Sequence, residues 1–106
     1  PGRCFKVLPN GNLIYSSEIP NEGPMLKIFN PNTLASVALA QPIGDAQDFE
    51  VVDESIIMAK GKKLFQLDWT QTSPEWKEFT DLDWLPGKKI SRMALSHNGQ
   101  LAIVIE

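Results

Sequence analysis

Three versions of one short segment decide the fold of this chain: Phe5-Lys-Val-Leu (5–8), Phe49-Glu-Val-Val (49–52) and Met93-Ala-Leu-Ser (93–96). Their first residues lie 44 positions apart both times, from 5 to 49 and from 49 to 93. Each segment is followed by a turn and by a second apolar segment: Leu13-Ile-Tyr-Ser, Ile56-Ile-Met-Ala and Leu101-Ala-Ile-Val. Two short apolar segments on either side of a turn are typical of a β-hairpin. The sequence therefore predicts three equivalent hairpins.

Two further strand-like segments follow each of the first two hairpins. No window of a dozen residues has the apolar spacing of an amphipathic helix, and we assign the eight prolines and seven glycines to the turns between strands. We predict ten strands, near residues 3–8, 13–18, 25–30 and 34–40, near 48–52, 55–60, 63–69 and 76–80, and near 90–96 and 100–106.

A period of about 40–45 residues with four short strands is the pattern of a β-propeller blade. The predicted fold is all-β, with blades of four antiparallel strands. Residues 1–106 form a single propeller segment, with one blade at 3–40, a second at 47–80 and a half blade at 90–106. Known propellers have about four to eight blades, so this chain holds an incomplete ring. We expect the rest of a propeller, or other copies of the chain, to cover the open blade faces.

Composition excludes several functions. The net charge is −3, and a nucleic-acid-binding face usually needs a basic excess, so no nucleic-acid partner is predicted. No apolar run approaches the ~18 residues of a membrane span, and no signal-peptide pattern opens the chain. Cys4, the single cysteine, forms no internal disulfide or metal cluster. A lone thiol fits a reducing compartment better, which favours a cytoplasmic location. No cofactor is predicted.

The segments 5–17 and 26–34 resemble a divergent WD-repeat blade. In that family the third strand closes with an aromatic or aliphatic residue followed by Asp or Asn, as Phe29-Asn30 and Leu67-Asp68 do here. The Gly-His pair that usually precedes the first strand is replaced by Gly44-Asp45 and Gly87-Lys88, and the Trp-Asp dipeptide is missing. A generic propeller stays open, since Ser96-His-Asn-Gly99 resembles the Ser-Pro-Asp-Gly turns of periplasmic or extracellular blades.

Lysines and one tryptophan form the candidate binding site. Lys62 and Lys63 follow the second strand of blade two, next to Lys60, while Lys88 and Lys89 precede blade three. The WD-like resemblance implies that these two connections emerge on one rim, together with Trp84. Tryptophan is enriched at interface hot spots, and lysines steer acidic partners. The alternative is that the lysines solubilise short loops and that Trp84 packs between blades.

Other candidate chemistry is weaker. Ser96 and His97 are adjacent and point apart, which excludes a nucleophile–base pair. The segment 81–87 has two carboxylates and lacks the further ligands of a calcium loop. Trp69 and Trp76 flank a turn, where we expect stacking across the hairpin, with a sugar-stacking platform as the alternative. No catalytic or metal-binding residue is predicted. The predicted function is a non-enzymatic scaffold for a protein or peptide partner; the alternative is part of a small-ligand- or glycan-binding bacterial propeller.

Overall fold

The computed structural model describes residues 5–21, 23–43, 48–96 and 98–106. Cys4, Gly44-Asp45 and His97, which entered the sequence-based predictions, lie outside the described residues. In the described part of the chain, ten strands form, each within a few residues of its predicted position. They are β1 Phe5–Val7, β2 Leu13–Ile19, β3 Gly23–Asn30, β4 Ala35–Ala40, β5 Glu50–Val52, β6 Ser55–Lys60, β7 Lys63–Asp68, β8 Lys77–Asp81, β9 Ile90–Leu95 and β10 Leu101–Ile105.

The all-β prediction is confirmed. Strands β1 to β4 form one antiparallel sheet in chain order, and β5 to β8 form a second sheet of the same order. Strands β9 and β10 form a two-stranded sheet. None of the three sheets closes on itself within the described chain. The chain divides into two compact units, residues 1–42 with the first sheet and residues 43–106 with the other two.

The three hairpins share one register. In each of them, the third residue of the repeated segment pairs with the first residue of the second apolar segment: Val7 with Leu13, Val51 with Ile56, and Leu95 with Leu101. Because a slip of one residue would turn every side chain to the opposite face, this agreement fixes the same inward and outward positions in all three. The repeat read from the sequence is therefore a structural repeat.

The third and fourth strands repeat as well. Leu26 pairs with Ser16 in the first sheet, and Leu64 pairs with Ala59 at the equivalent place in the second. A β-bulge interrupts the pairing to the fourth strand directly after each of these leucines. A bulge bends a strand and increases its twist. Both four-stranded sheets therefore bend at the same point.

The core of residues 43–106 lies between the second sheet and the β9–β10 hairpin. Five buried side chains form this core: Ile57, Ala59, Leu64, Ile90 and Met93. Four partly buried side chains pack against them: Leu82, Leu101, Ile103 and Ile105. The Met93 amide also donates a hydrogen bond to a carboxylate oxygen of Asp48 at 3.2 Å. Since Ile57, Ala59 and Leu64 share one face of the sheet by register, the hairpin covers that face.

The opposite face of the second sheet is buried too. Ile56, Met58 and Leu67 lie on it, and each is almost fully inaccessible to solvent, as is Phe49. A sheet that is buried on both sides differs from the usual half-solvated antiparallel sheet. The part of the chain that the structure describes contains no helix long and apolar enough to cross a membrane.

Candidate functional site

The β6–β7 turn lies beside the connection from β8 to β9. The Leu82 amide donates to the Lys62 carbonyl at 2.8 Å, and the Ile90 amide donates to the Gly61 carbonyl at 2.7 Å. Two backbone hydrogen bonds, one at each end of the connection, hold the two segments against each other. The candidate residues Lys62, Lys63, Trp84, Lys88 and Lys89 are therefore carried by neighbouring segments. We name residues 82–89 the Trp84 loop.

The ammonium group of Lys62 donates two hydrogen bonds to backbone carbonyls of the Trp84 loop. Its Nζ donates to the carbonyl of Asp83 at 3.0 Å and to the carbonyl of Leu85 at 2.6 Å, the two carbonyls on either side of Trp84. Within the loop, the Leu85 amide donates to the Leu82 carbonyl at 2.9 Å. Hydrogen bonds from a charged donor are stronger than neutral ones, so these contacts restrain the loop.

The side chain of Trp84 is exposed to solvent on this loop. Its side chain is 76% exposed, whereas Trp69 and Trp76 are half-buried. Burial of an exposed tryptophan removes a large apolar surface from water, which is favourable in free energy. When the loop that carries it is already restrained, little backbone conformational entropy is lost on burial. These are the properties of an anchor residue in a binding site.

The four lysines have different surroundings. Lys62 is occupied by the loop carbonyls, and the Nζ of Lys63 lies 3.9 Å from a carboxylate oxygen of Glu78. Lys88 and Lys89 are exposed, and their backbone amides donate to the Glu106 carbonyl. Lys88 and Lys89 are therefore the exposed lysines of the Trp84 loop, while Lys62 contacts two of its carbonyls.

Gly87 fits the end of the Trp84 loop against β10. Its φ angle is +119°, a conformation that L-residues rarely adopt. A Cβ atom added there would collide with the Ile105 side chain and would lie 3.1 Å from the Glu106 carbonyl oxygen. Sequence reasoning noted this glycine in place of a Gly-His pair and at the end of the acidic segment 81–87. It assigned no packing role to Gly87, because that role depends on a strand that lies 14 or more positions later in the chain (87 to 101–105).

Removing the Lys62 ammonium tests this arrangement. We expect Lys62→Met to destabilise residues 43–106 by about 1–3 kcal/mol, because two carbonyls lose a charged donor. The measurement is urea unfolding of the variant and of the matched control Lys60→Met, whose exposed lysine lies two residues earlier. We expect the control to change stability by less than about 0.5 kcal/mol. Equal effects of the two variants would contradict the positioning role.

The two acidic residues of the 81–87 segment take part in local turns. The Asp83 amide donates to Oδ1 of Asp81 at 2.9 Å, which closes a side-chain turn at the start of the Trp84 loop. Among the described residues, no group of three or more His, Cys, Asp or Glu side chains could hold a metal ion. The carboxylate of Asp81 therefore has a structural use at this position.

A similar turn closes both third strands. The Asn32 amide donates to Oδ1 of Asn30 at 2.9 Å, and the Thr70 amide donates to Oδ1 of Asp68 at the same distance. The Thr70 hydroxyl also donates to Oδ1 of Asp68, at 2.5 Å. The hydroxyl and then the amide hydrogen bond lower the pKa of the Asp68 carboxyl below its ordinary value of 3.8.

This gives a prediction for the titration of Asp68. Because the pKa in the folded chain is lowered, these hydrogen bonds favour folding above the ordinary pKa of 3.8, and their contribution is lost as the pH falls through the folded pKa. We expect Thr70→Val to raise the pKa of Asp68 towards the ordinary value, while Thr70→Ser, which keeps a hydroxyl, leaves it low. NMR titration of the Asp68 carboxyl measures both. A pKa that is unchanged by Thr70→Val would contradict the assigned cause.

The first sheet carries an open groove of about 590 Å³. Its lining includes three aromatic side chains, Phe5, Tyr15 and Phe29, together with Leu13, Glu18 and Ser36. The Tyr15 hydroxyl and the Ser36 hydroxyl lie 3.0 Å apart and share a hydrogen bond. Sequence reasoning did not single out this groove, because its residues come from four different strands.

Comparisons with protein-family models, with curated proteins and with solved structures found no match for this chain.

Proposed function

We propose that this chain is a segment of a β-propeller that serves as a non-enzymatic scaffold for an acidic protein or peptide partner, with Trp84 as the anchor. The observation that carries the proposal is the exposed Trp84 side chain, flanked by two carbonyls that the Lys62 ammonium fixes. Lys88 and Lys89 steer acidic groups towards it. The partner is recognised by one apolar group that covers the indole and by carboxylates that reach the two lysines.

The propeller part of the proposal rests on repetition. Blades of a propeller are equivalent sheets, each covered by its neighbours, and the two full sheets here have the same pairing and the same bulge position. One face of the second sheet is covered by the β9–β10 hairpin, as one blade covers the next in a propeller. The turns at Asn30 and Asp68 lie where the WD-like resemblance has its Asp or Asn residue. These features support a WD-like propeller as the finer assignment.

The test is selection of peptides from a random display library on the immobilised chain. We expect the enriched peptides to carry an excess of Asp and Glu together with a large apolar residue. Trp84→Ala should weaken their binding by about 2 kcal/mol or more, which is about 30-fold in Kd. Lys88→Glu combined with Lys89→Glu should lower the association rate, and this effect should shrink at high salt.

The peptide selection needs a control variant and a check that each variant is folded. Trp69→Ala is the matched control, because it removes a half-buried tryptophan outside the Trp84 loop, and we expect it to leave peptide affinity within a few-fold. Circular dichroism confirms that each variant is folded. If folded Trp84→Ala binds the enriched peptides as tightly as the unchanged chain does, the proposed anchor is wrong.

The aromatic groove of the first sheet favours a second candidate function, the binding of a small ligand such as a glycan. Aromatic faces with nearby hydroxyl groups suit the stacking of sugar rings, and Tyr15 and Ser36 supply both features. Against it, Leu13, Tyr15 and Phe29 are the equivalents, by register, of side chains that are buried in the second sheet. A blade-packing surface therefore explains this groove better. NMR titration of the chain with a panel of sugars tests the glycan candidate, which predicts shifts at Tyr15.

A further inference from the structure

The connection from β7 to β8 is longer than its equivalent in the first sheet. Residues 69–76 join β7 to β8, whereas residues 31–34 join β3 to β4. We name residues 69–76 the β7–β8 loop. Because successive turns of an antiparallel sheet alternate between its two ends, this loop lies at the opposite end of the second sheet from the β6–β7 turn and the Trp84 loop. A connection half as long joins the equivalent strands of the first sheet, so the strand pairing does not require the longer loop.

Ser73 is exposed in the middle of the β7–β8 loop. Hydrogen bonds hold the start of the loop: the Gln71 amide donates to the Asp68 carbonyl at 3.4 Å, and Thr70 donates to the Asp68 carboxylate. In the part of the chain that the structure describes, neither the backbone of residues 72–75 nor the Ser73 hydroxyl makes a hydrogen bond. The Ser73 hydroxyl is therefore accessible, and no bond within the chain has to be broken to use it.

Pro74 directly follows Ser73. The sequence contains no other serine or threonine that precedes a proline. A residue before proline is restricted to extended backbone conformations, and proline itself offers no amide for hydrogen bonding to a neighbouring strand. Protein kinases bind the residues around the acceptor hydroxyl as an extended segment, and one large class of them requires a proline immediately after the acceptor. The Ser73-Pro74 segment has both the sequence and the restricted conformation that this class binds.

We propose that Ser73 is a phosphorylation site for a proline-directed protein kinase that uses ATP. The Ser73 Oγ attacks the γ-phosphorus of ATP, and an O–P bond forms while the bond from that phosphorus to the β–γ bridging oxygen breaks. ADP leaves, and the hydroxyl proton passes to the catalytic aspartate of the kinase. The modified side chain carries a charge of about −1.5 to −2 at pH 7.

The charges near Ser73 decide what the phosphate binds. Within five positions along the chain there are three carboxylates and one cation: Asp68, Glu75, Glu78 and Lys77. The carboxylates repel a phosphate, so its own segment does not neutralise it. The phosphate therefore stays available to an arginine cluster on another protein, which is a common way of recognising phosphorylated segments. This recognition site is separate from the Trp84 loop at the other end of the sheet.

The test incubates the folded chain with ATP and a purified kinase of the cyclin-dependent class, and maps the phosphate by mass spectrometry. We expect one phosphate, at Ser73, and none in Ser73→Ala. Pro74→Ala should lower kcat/KM by about 10-fold or more, because a contact that the kinase uses for discrimination is lost. Thr72→Ala is the matched control, since it removes an exposed hydroxyl of the same loop and should leave the rate at Ser73 unchanged.

A synthetic peptide of residues 66–80 provides the rate for the unfolded segment. We expect the folded chain to react within about 10-fold of this peptide, because the loop needs no unfolding to reach the kinase. Phosphorylation of the peptide without phosphorylation of the folded chain would overturn the proposal. Equal modification of other hydroxyls, or a rate at Ser73 that Pro74→Ala leaves unchanged, would overturn it too. Circular dichroism checks that each variant is folded.

A peptide with two adjacent arginines tests what the phosphate does. We expect it to bind the phosphorylated chain about 5-fold or more tightly than the phosphate-free Ser73→Ala variant, because charge-assisted hydrogen bonds to the phosphate are added. Equal binding of the two would contradict the recognition role. A peptide selected on the Trp84 site should bind both forms equally, so this measurement and the test of the Trp84 anchor fail independently of each other.

Discussion

Gly87→Ala is expected to destabilise residues 43–106 by about 2–4 kcal/mol. A non-glycine residue at a φ of +119° costs about 1–3 kcal/mol in backbone strain. The new methyl group would also collide with the Ile105 side chain and press on the Glu106 carbonyl, and overpacking of this kind costs a further 1–3 kcal/mol or so. The measurement is urea unfolding, with tryptophan fluorescence as the probe. We expect the variant to lose the contacts between the Trp84 loop and β10 as well as unfolding free energy.

Gly99→Ala is the matched control. This glycine also has a positive φ, of +88°, but nothing lies within 4 Å of the position where a Cβ atom would be added. We expect it to cost about 1 kcal/mol, which is the backbone term alone. The difference between the two variants then measures the packing of Gly87 on β10. Equal losses would show that β10 does not lie against residue 87.

Leu64→Ala is expected to destabilise the same part of the chain by about 3 kcal/mol. Leu64 is buried in the core between the second sheet and the β9–β10 hairpin, together with Ile57, Ile90 and Met93. Truncation to alanine removes transfer free energy and leaves a cavity that the surrounding strands fill only in part, and buried Leu→Ala changes cost about 2–5 kcal/mol. Chemical unfolding of the variant measures the loss.

Leu34→Ala provides the comparison for Leu64. Leu34 is 76% exposed, so the same change of side chain removes little buried surface. We expect a change of less than about 0.5 kcal/mol. A small effect of Leu64→Ala, equal to that of Leu34→Ala, would mean that the hairpin does not pack on the second sheet.

Much of the fold could be predicted from the sequence because the determining signals are local. The apolar segments beginning at Phe5, Phe49 and Met93 repeat at constant spacing, and the turns between strands contain residues such as Asn and Gly that favour turns. The ten strands, grouped as two sets of four and one set of two, could therefore be predicted from the sequence alone. The register was not among these predictions, because residues 56–59 of β6 are all buried and therefore show no alternation between an apolar and a polar face.

The arrangement of the candidate site could be predicted only in part. The lysines and Trp84 were identified as residue types in loops, and the structure brings those loops together. The bond from Lys62 to the carbonyls beside Trp84 joins residues more than 20 positions apart and uses backbone acceptors, which leave no trace in the side-chain sequence. Periodicity gave no sign of it. The packing of Gly87 on Ile105 was hidden for the same reason.

The division of roles among the lysines changes how the site should be probed. Lys62 and Lys63 have partners within the chain, so their removal alters the loop or an ion pair in addition to any effect on binding. Lys88 and Lys89 are exposed, which makes them the better positions for testing electrostatic steering. A surface ion pair such as Lys63–Glu78 contributes little to stability, about 0–1 kcal/mol, so variants at Lys63 should remain folded.

The most direct test of the account is ¹⁹F NMR of the chain labelled with 5-fluorotryptophan. The three tryptophans, at 69, 76 and 84, give three signals, and Trp84→Phe assigns the one that belongs to the Trp84 loop. On addition of a peptide selected on the chain, we predict that the Trp84 signal shifts and becomes protected from solvent while the other two stay in place. Movement of the Trp69 and Trp76 signals with an unchanged Trp84 signal would contradict the proposed site.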